Sequence, residues 1–377
     1  MLRMVTQEAI INGNGDDPRT LVVVFLRGGA DGLNMVAPLG DDGYKKARPR
    51  IALGRDDSIR LDDFFGLNPL LGGLEPAWKE GDLAIVHAAG SEDETRSHFE
   101  AQDLMEHGGI AAGGWLGRFL RFKERPADAG LAAVALSKGL PESLRGAPAA
   151  TAMSSIDEFS LGRGHEGVQA SLEKLYAAHG GLLAKPARDT FRALTRIAEL
   201  RKSDYRPANG AEYSGDSFSR SLVQTARLIR ARVGVEAMTI DLGGWDSHLS
   251  QGAIMNPRMT RLADGLGAFY RDLGEDMRNV TVVVMTEFGR RVSENSAFGT
   301  DHGRGGVMFV IGKAVNGGKV LGEWPGLSDD VLEGPGDLPV KSNYRDVLAP
   351  ILQRYGAKEG MAKVFPDYEL NPLEVLA

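Results

Sequence analysis

Apolar runs in this chain end in groups that can do chemistry. LVVVFLRGGADGLN carries Arg27 and Asp31 just past its apolar core, and MTIDLGGWDSH carries Asp246 and His248. VTVVVMTEFGRR carries Glu287, followed one loop later by Asp301 and His302 in TDHGRGG. Carboxylate with imidazole suits Zn, Mn or Fe, and a lone carboxylate on flexible backbone suits a hard divalent cation. The carboxyl ends of parallel strands are where such groups can meet, because loops from several strands converge there. Each residue also has a plainer use: Asp31 as a turn former, His248 as a loop histidine, and Glu287 as the partner of Arg290.

A further segment, AIVHAAGSEDETRSHFEAQDLMEHGG, reads as strand, polar loop and helix, the helix opening at Thr95 to Ser97. Ser97 then sits at a helix N-terminus, where free N–H groups and the macrodipole stabilise an anion or a developing alkoxide. Arg96 beside it could make a charge-assisted contact to a phosphate. Against this, Ser97 with Glu100 three residues on also fits a capping box. Trp245 either shields the Asp246–His248 loop from water or stacks on a substrate. The glycines at 28, 29 and 32 miss the G-x-G-x-x-G spacing of a dinucleotide fold.

Positioning these groups requires strands. Leu21–Leu26, Leu83–His87, Leu131–Ala135, Glu236–Leu242, Val280–Met285 and Val307–Ile311 are short and rich in Val, Ile, Leu and Ala. They lack strict polar alternation, so the sheet is expected to be covered on both faces. Phe218, Leu222, Ala226, Ile229 and Val233 step by three or four, as do Met259, Leu262, Leu266, Phe269, Leu273 and Met277, which marks amphipathic helices. A further helical stretch runs from about Gly167 to Arg201, broken near Gly180-Gly181 and Pro186. Strands alternating with helices give an α/β fold with a largely parallel sheet sandwiched between helices. Asn316-Gly317-Gly318-Lys319 predicts a hairpin turn and a small antiparallel appendage. Ser203–Gly215 is polar and Gly/Pro-bearing, the best candidate for a linker, but too short to mark a domain boundary, and it reads as a surface loop within a single domain spanning 1–377.

Composition narrows the partners. At 42% hydrophobic and 25% charged residues the chain is globular and not disordered. A net charge of -7 without a basic, aromatic-interleaved block argues against nucleic acid. Cysteine is absent, which excludes disulfides, thiolate metal sites and Cys nucleophiles. No apolar stretch reaches the roughly 18 residues of a membrane span. MLRMVTQEAIINGNGDDPRT has no apolar core and no twin arginine, so a cytoplasmic location is expected of the chain as written.

FLRGGADGLNMVAP, AIVHAAGSEDETRSHFEAQDLME, GGWLGRFL, GGWDSH, TEFGRRVSENSAFGTDHGRGG and GGKVLGEWPGL, in this order, resemble the bacterial domain-of-unknown-function family 1501 of the alkaline phosphatase/sulfatase superfamily. The resemblance implies an alkaline phosphatase-like fold, two adjacent divalent metals (Zn, Mn, Mg or Ca) and a hydroxyl nucleophile at a helix N-terminus. By it Ser97 looks like the nucleophile, assisted by Arg96 or Arg27, and Asp31, Asp246, His248, Glu287 and His302 look like metal ligands. It also implies a small phosphate or sulfate ester as substrate, hydrolysed through a seryl intermediate, and makes a periplasmic location the alternative. A phosphomutase and a non-catalytic binding protein are the rival functions. Where the superfamily has Asp-His the chain reads Glu287-Phe288, so one metal is expected to bind tightly and a second weakly, with His98 or Asp301 as replacement ligands. Ser97-His-Phe-Glu-Ala101 lacks the Pro and Arg that accompany formylglycine formation, which argues against an ordinary sulfatase.

Overall fold

Alternate residues of the first apolar run serve two different cores. Val22, Val24 and Leu26 pack into one apolar cluster, while Leu21, Val23 and Phe25 pack into another. A strand with both faces in apolar surroundings gains roughly 1.5–3 kcal/mol per large side chain buried, so polar alternation would destabilise it. The computed structural model describes residues 19–123, 131–157, 171, 172, 174–176, 184–202, 204–358 and 360–377. Its strands in chain order are β1 (Thr20–Arg27), β2 (Val36–Pro38), β3 (Ile59–Arg60), β4 (Phe65–Leu67), β5 (Leu83–Gly90), β6 (Ala133–Ala135), β7 (Ala150–Ala152), β8 (Ala237–Gly243), β9 (Val280–Thr286), β10 (Gly306–Ile311), β11 (Lys319–Leu321) and β12 (Ser342–Asn343).

The main sheet has the order β11-β5-β10-β9-β1-β8-β6-β7, with β12 also on β5. Every pairing in it is parallel except those of β10 with β5 and β9. Helices Ser217–Arg230 and Gln251–Leu273 cover one face through Phe218, Leu222, Met259, Leu262 and Leu266. Helices Trp115–Phe122 and Tyr344–Arg354 cover the other through Trp115, Phe119, Val347 and Ile351. The mixed α/β architecture with a largely parallel sheet between helices is thus as the sequence predicts.

The reversal of β10 matters for function. No helix lies between Thr286 and Gly306, so the chain cannot cross back to the far edge of the sheet. It leaves β9, stays at the carboxyl edge and re-enters the sheet antiparallel, which keeps Asp301 and His302 beside the other strand ends.

Two local expectations need correction. The predicted hairpin at Asn316–Lys319 does not form: β10 and β11 lie on opposite sides of β5 and pair with it, antiparallel and parallel respectively. The turn reverses the chain, but β5 occupies the place between its two arms. Pro186 lies inside the described helix Ala184–Arg201, so the break is not at Pro186 itself. The parts of that helical expectation at 167–170, 173 and 177–183, with its break at Gly180-Gly181, lie outside the described residues. So does most of the amino-terminal segment read for export signals. The loop after Ser203 is anchored: Tyr205 and Tyr213 donate to the buried Asp272 carboxylate at 2.7 and 2.9 Å. No described helix is long and apolar enough to cross a membrane.

Candidate metal centre

The carboxyl edge brings together residues from four chain segments. Helix His98–His107 begins after Ser97, which is extended (φ -88°, ψ 121°), and Arg96, which is left-handed (φ 57°). That sharp entry turns the first helical residue, His98, toward the strand ends. Asp246 and His248 follow β8, and His302 precedes β10. The close approach of these loops depends on glycine. Gly28 has φ 120°, and a Cβ there would lie 2.4 Å from the backbone nitrogen of Asp246.

Three imidazoles point their Nε2 atoms at the Asp246 carboxylate. Its Oδ1 lies 3.1 Å from Nε2 of His248 and 3.1 Å from Nε2 of His302, and its Oδ2 lies 3.4 Å from Nε2 of His98. The His248 and His302 Nε2 atoms are 3.0 Å apart. Ligand atoms tetrahedrally arranged at ~2.0–2.1 Å from zinc stand about 3.3 Å from one another, so these separations fit one ion. Ligand atoms of His98, Asp246 and His302 all lie within 4.8 Å of each other.

Each ring is held from behind. His98 Nδ1 lies 2.8 Å from Glu287 Oε1, His248 Nδ1 3.2 Å from Asp301 Oδ1, and His302 Nδ1 3.0 Å from the Arg96 carbonyl. All three partners are acceptors, so with an ion in place each Nδ1 would carry the ring proton and leave Nε2 free to face the ion. Such acceptors behind metal-binding imidazoles fix ring orientation and raise ligand basicity. Two lone pairs facing one another across 3.0 Å repel unless a cation or proton lies between them. Nε2 of His98 is buried and has no hydrogen-bond partner among the described residues, which fits a ligand position.

The electrostatics match. Burial opposes ionisation of Asp246, but hydrogen bonds from His302 and Arg290 overcome it and hold the carboxyl down at about 2. Hydrogen bonding to Glu287 raises the His98 pKa, whereas burial lowers that of His302. The centre is half open, the Asp246 side chain 47% and that of His248 42% exposed. A cleft of about 710 Å³ lined by Asp41, Asp42, Lys46, Asp329 and Asp330 contains none of its residues.

The other candidates have different surroundings. Asp31 is fully buried and its Oδ2 takes an Arg48 guanidinium N–H at 2.6 Å and the Gln251 amide at 2.5 Å. Its Oδ1 caps the short helix Gly32–Met35 through the Asn34 N–H. Asp31 is therefore engaged by an internal cation and not by the imidazole cluster. Glu287 is buried and stands behind His98; its Oε1 also accepts from the Gly28 N–H and the Gln102 amide, both at 2.8 Å. Burial favours its neutral form, but these donors win and lower its pKa. Arg290 does not hydrogen-bond Glu287; it donates to Asp246.

Ser97 makes no side-chain bond to its helix, so the predicted capping box is absent and its hydroxyl is left unused for capping. The Arg96 side chain is committed to Asp337 through Nε and Nη2, at 2.8 and 2.5 Å. Arg27 is committed to Glu106, Asp241 and Gln102. Trp245 is fully buried and packs in the core beneath its loop. Phe288 is buried with its ring centroid 4.9 Å from both His98 and His302, forming an apolar wall of the cluster. His98 was legible only as a replacement ligand; its signal is its place as first helical residue after the strand–loop segment, with Gln102 one turn on reaching the same Glu287 oxygen.

Loose structural likenesses accompany this geometry. The C-terminal periplasmic domain of EcEptC from Escherichia coli, in complex with Zn, is 10% identical over 95% of this chain and 89% of that one, with a TM-score of 0.38. Alkaline phosphatase from the Antarctic bacterium TAB5 is 10% identical over 79% of this chain and 93% of that one, with a TM-score of 0.33. A protein of the alkaline phosphatase superfamily from Vibrio parahaemolyticus is 9% identical over 80% and 61%, with a TM-score of 0.32. No curated protein sequence matches the chain. Residues 84–359 match the family model described as "Protein of unknown function (DUF1501)", a span that holds every residue of the imidazole–Asp246 cluster, and the chain belongs to that family.

Proposed function

We propose that this chain is a metal-dependent hydrolase of a phosphate or sulfate ester, working through a seryl intermediate at Ser97. The observation that carries the reading is the set of three Nε2 atoms converging on Asp246, each ring fixed from behind by an acceptor. His98, Asp246, His248 and His302 would hold one ion, and so nitrogen-rich a set favours a transition metal over Mg or Ca. A divalent ion bound there would polarise an ester oxygen and lower the pKa of a hydroxyl beside it.

The rest of the chemistry belongs to the chain. Ser97 immediately precedes His98 at the start of a 10-residue helix whose N-terminus favours anionic oxygens. In the proposed reaction the Ser97 oxygen attacks phosphorus or sulfur, and the bond to the alcohol oxygen breaks. The alcohol leaves protonated, and water then cleaves the seryl ester and restores the hydroxyl. Phe288 keeps water from one side of the imidazoles.

A metal-holding protein without turnover is the second reading. What favours it is that Arg96 and Arg27, the expected anion contacts, are both committed to internal carboxylates. The experiment measures metal content after purification without chelator, then turnover of aryl phosphates and aryl sulfates with Zn, Mn, Mg and Ca, in wild type and Ser97→Ala. The Ser97 hydroxyl makes no cap bond to its helix, so its removal should cost less than the roughly 1 kcal/mol of a lost cap and leave the variant folded. Turnover that vanishes in the variant while metal is retained supports the hydrolase. Undiminished turnover removes Ser97 as nucleophile, and bound metal with no turnover of either ester selects the second reading. A chain that takes up no metal refutes both.

A further inference from the structure

Arg290 is buried, with no exposed side-chain surface, and its guanidinium makes contact with three loops at once. Nε donates to the Gly29 carbonyl at 2.7 Å and Nη2 to the Gly28 carbonyl at 2.6 Å, both in the loop after β1. Nη2 also donates to the Trp245 carbonyl at 3.0 Å, and Nη1 to the Ser247 carbonyl at 3.2 Å, in the loop after β8. Nη1 reaches the Thr300 carbonyl at 3.2 Å, two residues before His302. Nη2 lies 3.0 Å from Asp246 Oδ1, the oxygen nearest both His248 and His302. Among the described residues, Arg290 is the side chain of the centre whose hydrogen bonds reach all three loops. Arg290 also lies in a turn whose own residues point at the cluster without facing it as ligands: Glu287 holds His98 from behind and Phe288 walls two imidazoles. Gly289 is confined by the backbone, since a Cβ there would lie 2.0 Å from the Gly305 carbonyl oxygen.

We infer that Arg290 is the positioning residue of the centre: one planar guanidinium that sets the relative placement of the β1, β8 and β10 loops and aims Asp246 at the imidazoles. The inference rests on the metal-centre reading above. Lysine keeps the charge but offers a single ammonium, which cannot reproduce a planar fork reaching carbonyls on opposite sides. The role differs from that of an ordinary core cation, because every one of its acceptors lies in a loop that carries or adjoins a cluster residue.

The test uses the full chain as wild type, Arg290→Lys and Arg290→Ala, titrated with Co²⁺ and followed by the visible spectrum of the bound ion and by thermal unfolding of the metal-free protein. Wild type should show a Co²⁺ spectrum of low coordination number. Arg290→Lys should remain folded yet bind the ion at least ~10-fold more weakly with an altered spectrum, in line with the effect of losing an outer-shell partner. Arg290→Ala should regain the wild-type spectrum when guanidinium is added, and not when NaCl is added at equal ionic strength. Unchanged affinity and spectrum in Arg290→Lys, with only a lower unfolding temperature, would overturn the inference while leaving the metal centre intact. Variants that fold neither alone nor with guanidinium would assign Arg290 to the fold at large, which overturns it too. No Co²⁺ binding by wild type would take down the metal-centre reading itself, and the positioning role with it.

Discussion

Replacing Glu287 by Gln removes a charge from the centre and leaves its geometry in place. Glu287 Oε1 accepts from the Gly28 N–H, the Gln102 amide and His98 Nδ1, all at 2.8 Å, and a glutamine carbonyl can keep all three. The other oxygen faces the Thr286 hydroxyl at 2.9 Å, which also donates to the Leu26 carbonyl at 2.8 Å. A glutamine NH₂ there donates to the Thr286 oxygen and frees its proton for Leu26. Alanine would instead strand the buried Gly28 N–H, at roughly 1–3 kcal/mol, and the partly buried His98 and Gln102 donors as well, so it tests folding and not tuning. With the carboxylate gone, the His98 imidazole is a weaker base and Nε2 a weaker ligand. Outer-shell changes of this kind cost about 10–100-fold in metal affinity, or roughly 1.4–2.7 kcal/mol. The assay is competition for Zn²⁺ against a chelator of known affinity, alongside denaturant unfolding of the metal-free protein. The expected result is weaker metal with near-normal metal-free stability. Equal metal affinity in the two proteins would refute the claim that Glu287 acts through His98, and a large loss of metal-free stability would return it to a structural role.

Asp31→Asn should separate a ligand from an internal ion-pair partner. It leaves the buried Arg48 guanidinium uncompensated, so unfolding free energy should fall by about 3–5 kcal/mol while the number of metal ions bound per chain stays the same; loss of an ion would make Asp31 a ligand. His87 should shape the acid side of the stability profile. Burial pushes its pKa from 6.5 to about 4, so the unfolded chain takes the proton first as pH falls, and stability present above 6.5 declines by about 3 kcal/mol on reaching pH 4. His87→Phe keeps the stack on Phe65 but not the bond to the Val36 carbonyl, so it should be less stable at neutral pH and lack that slope; an unchanged slope between pH 6.5 and 4 would assign it to other groups.

The strands were legible because their burial is extreme. β1, β5, β9 and β10 alternate between two apolar clusters, so composition alone marks them, and the observed limits depart from expectation by a few residues at most. The edge at which chemistry gathers was legible for the same reason: carboxylates that end such strands must face a loop, not a core. What the residues could not reveal is how several carboxylates at that edge divide their labour. Asp31 and Asp246 both follow an apolar strand in a glycine-rich turn, and the His248 beside Asp246 does not by itself tell a ligand from an ion-pair partner. The difference lies at Arg48 and Gln251, which reach Asp31 from 17 and 220 residues away. Glu287 likewise ends its strand as a metal ligand would, but Gly28, His98 and Gln102 arrive from elsewhere and use its oxygens. Buried anions at one edge cannot all face one ion without a surplus of negative charge, and the fold resolves this by giving each its own cation or donor set. Arg48 neutralises Asp31, donors and an imidazole satisfy Glu287, and Asp246, although paired with Arg290, stays half exposed with three imidazole nitrogens beside it. That division concentrates ligand character in Asp246 and the histidines, so the candidate centre is defined as much by the carboxylates withdrawn from it as by those it keeps.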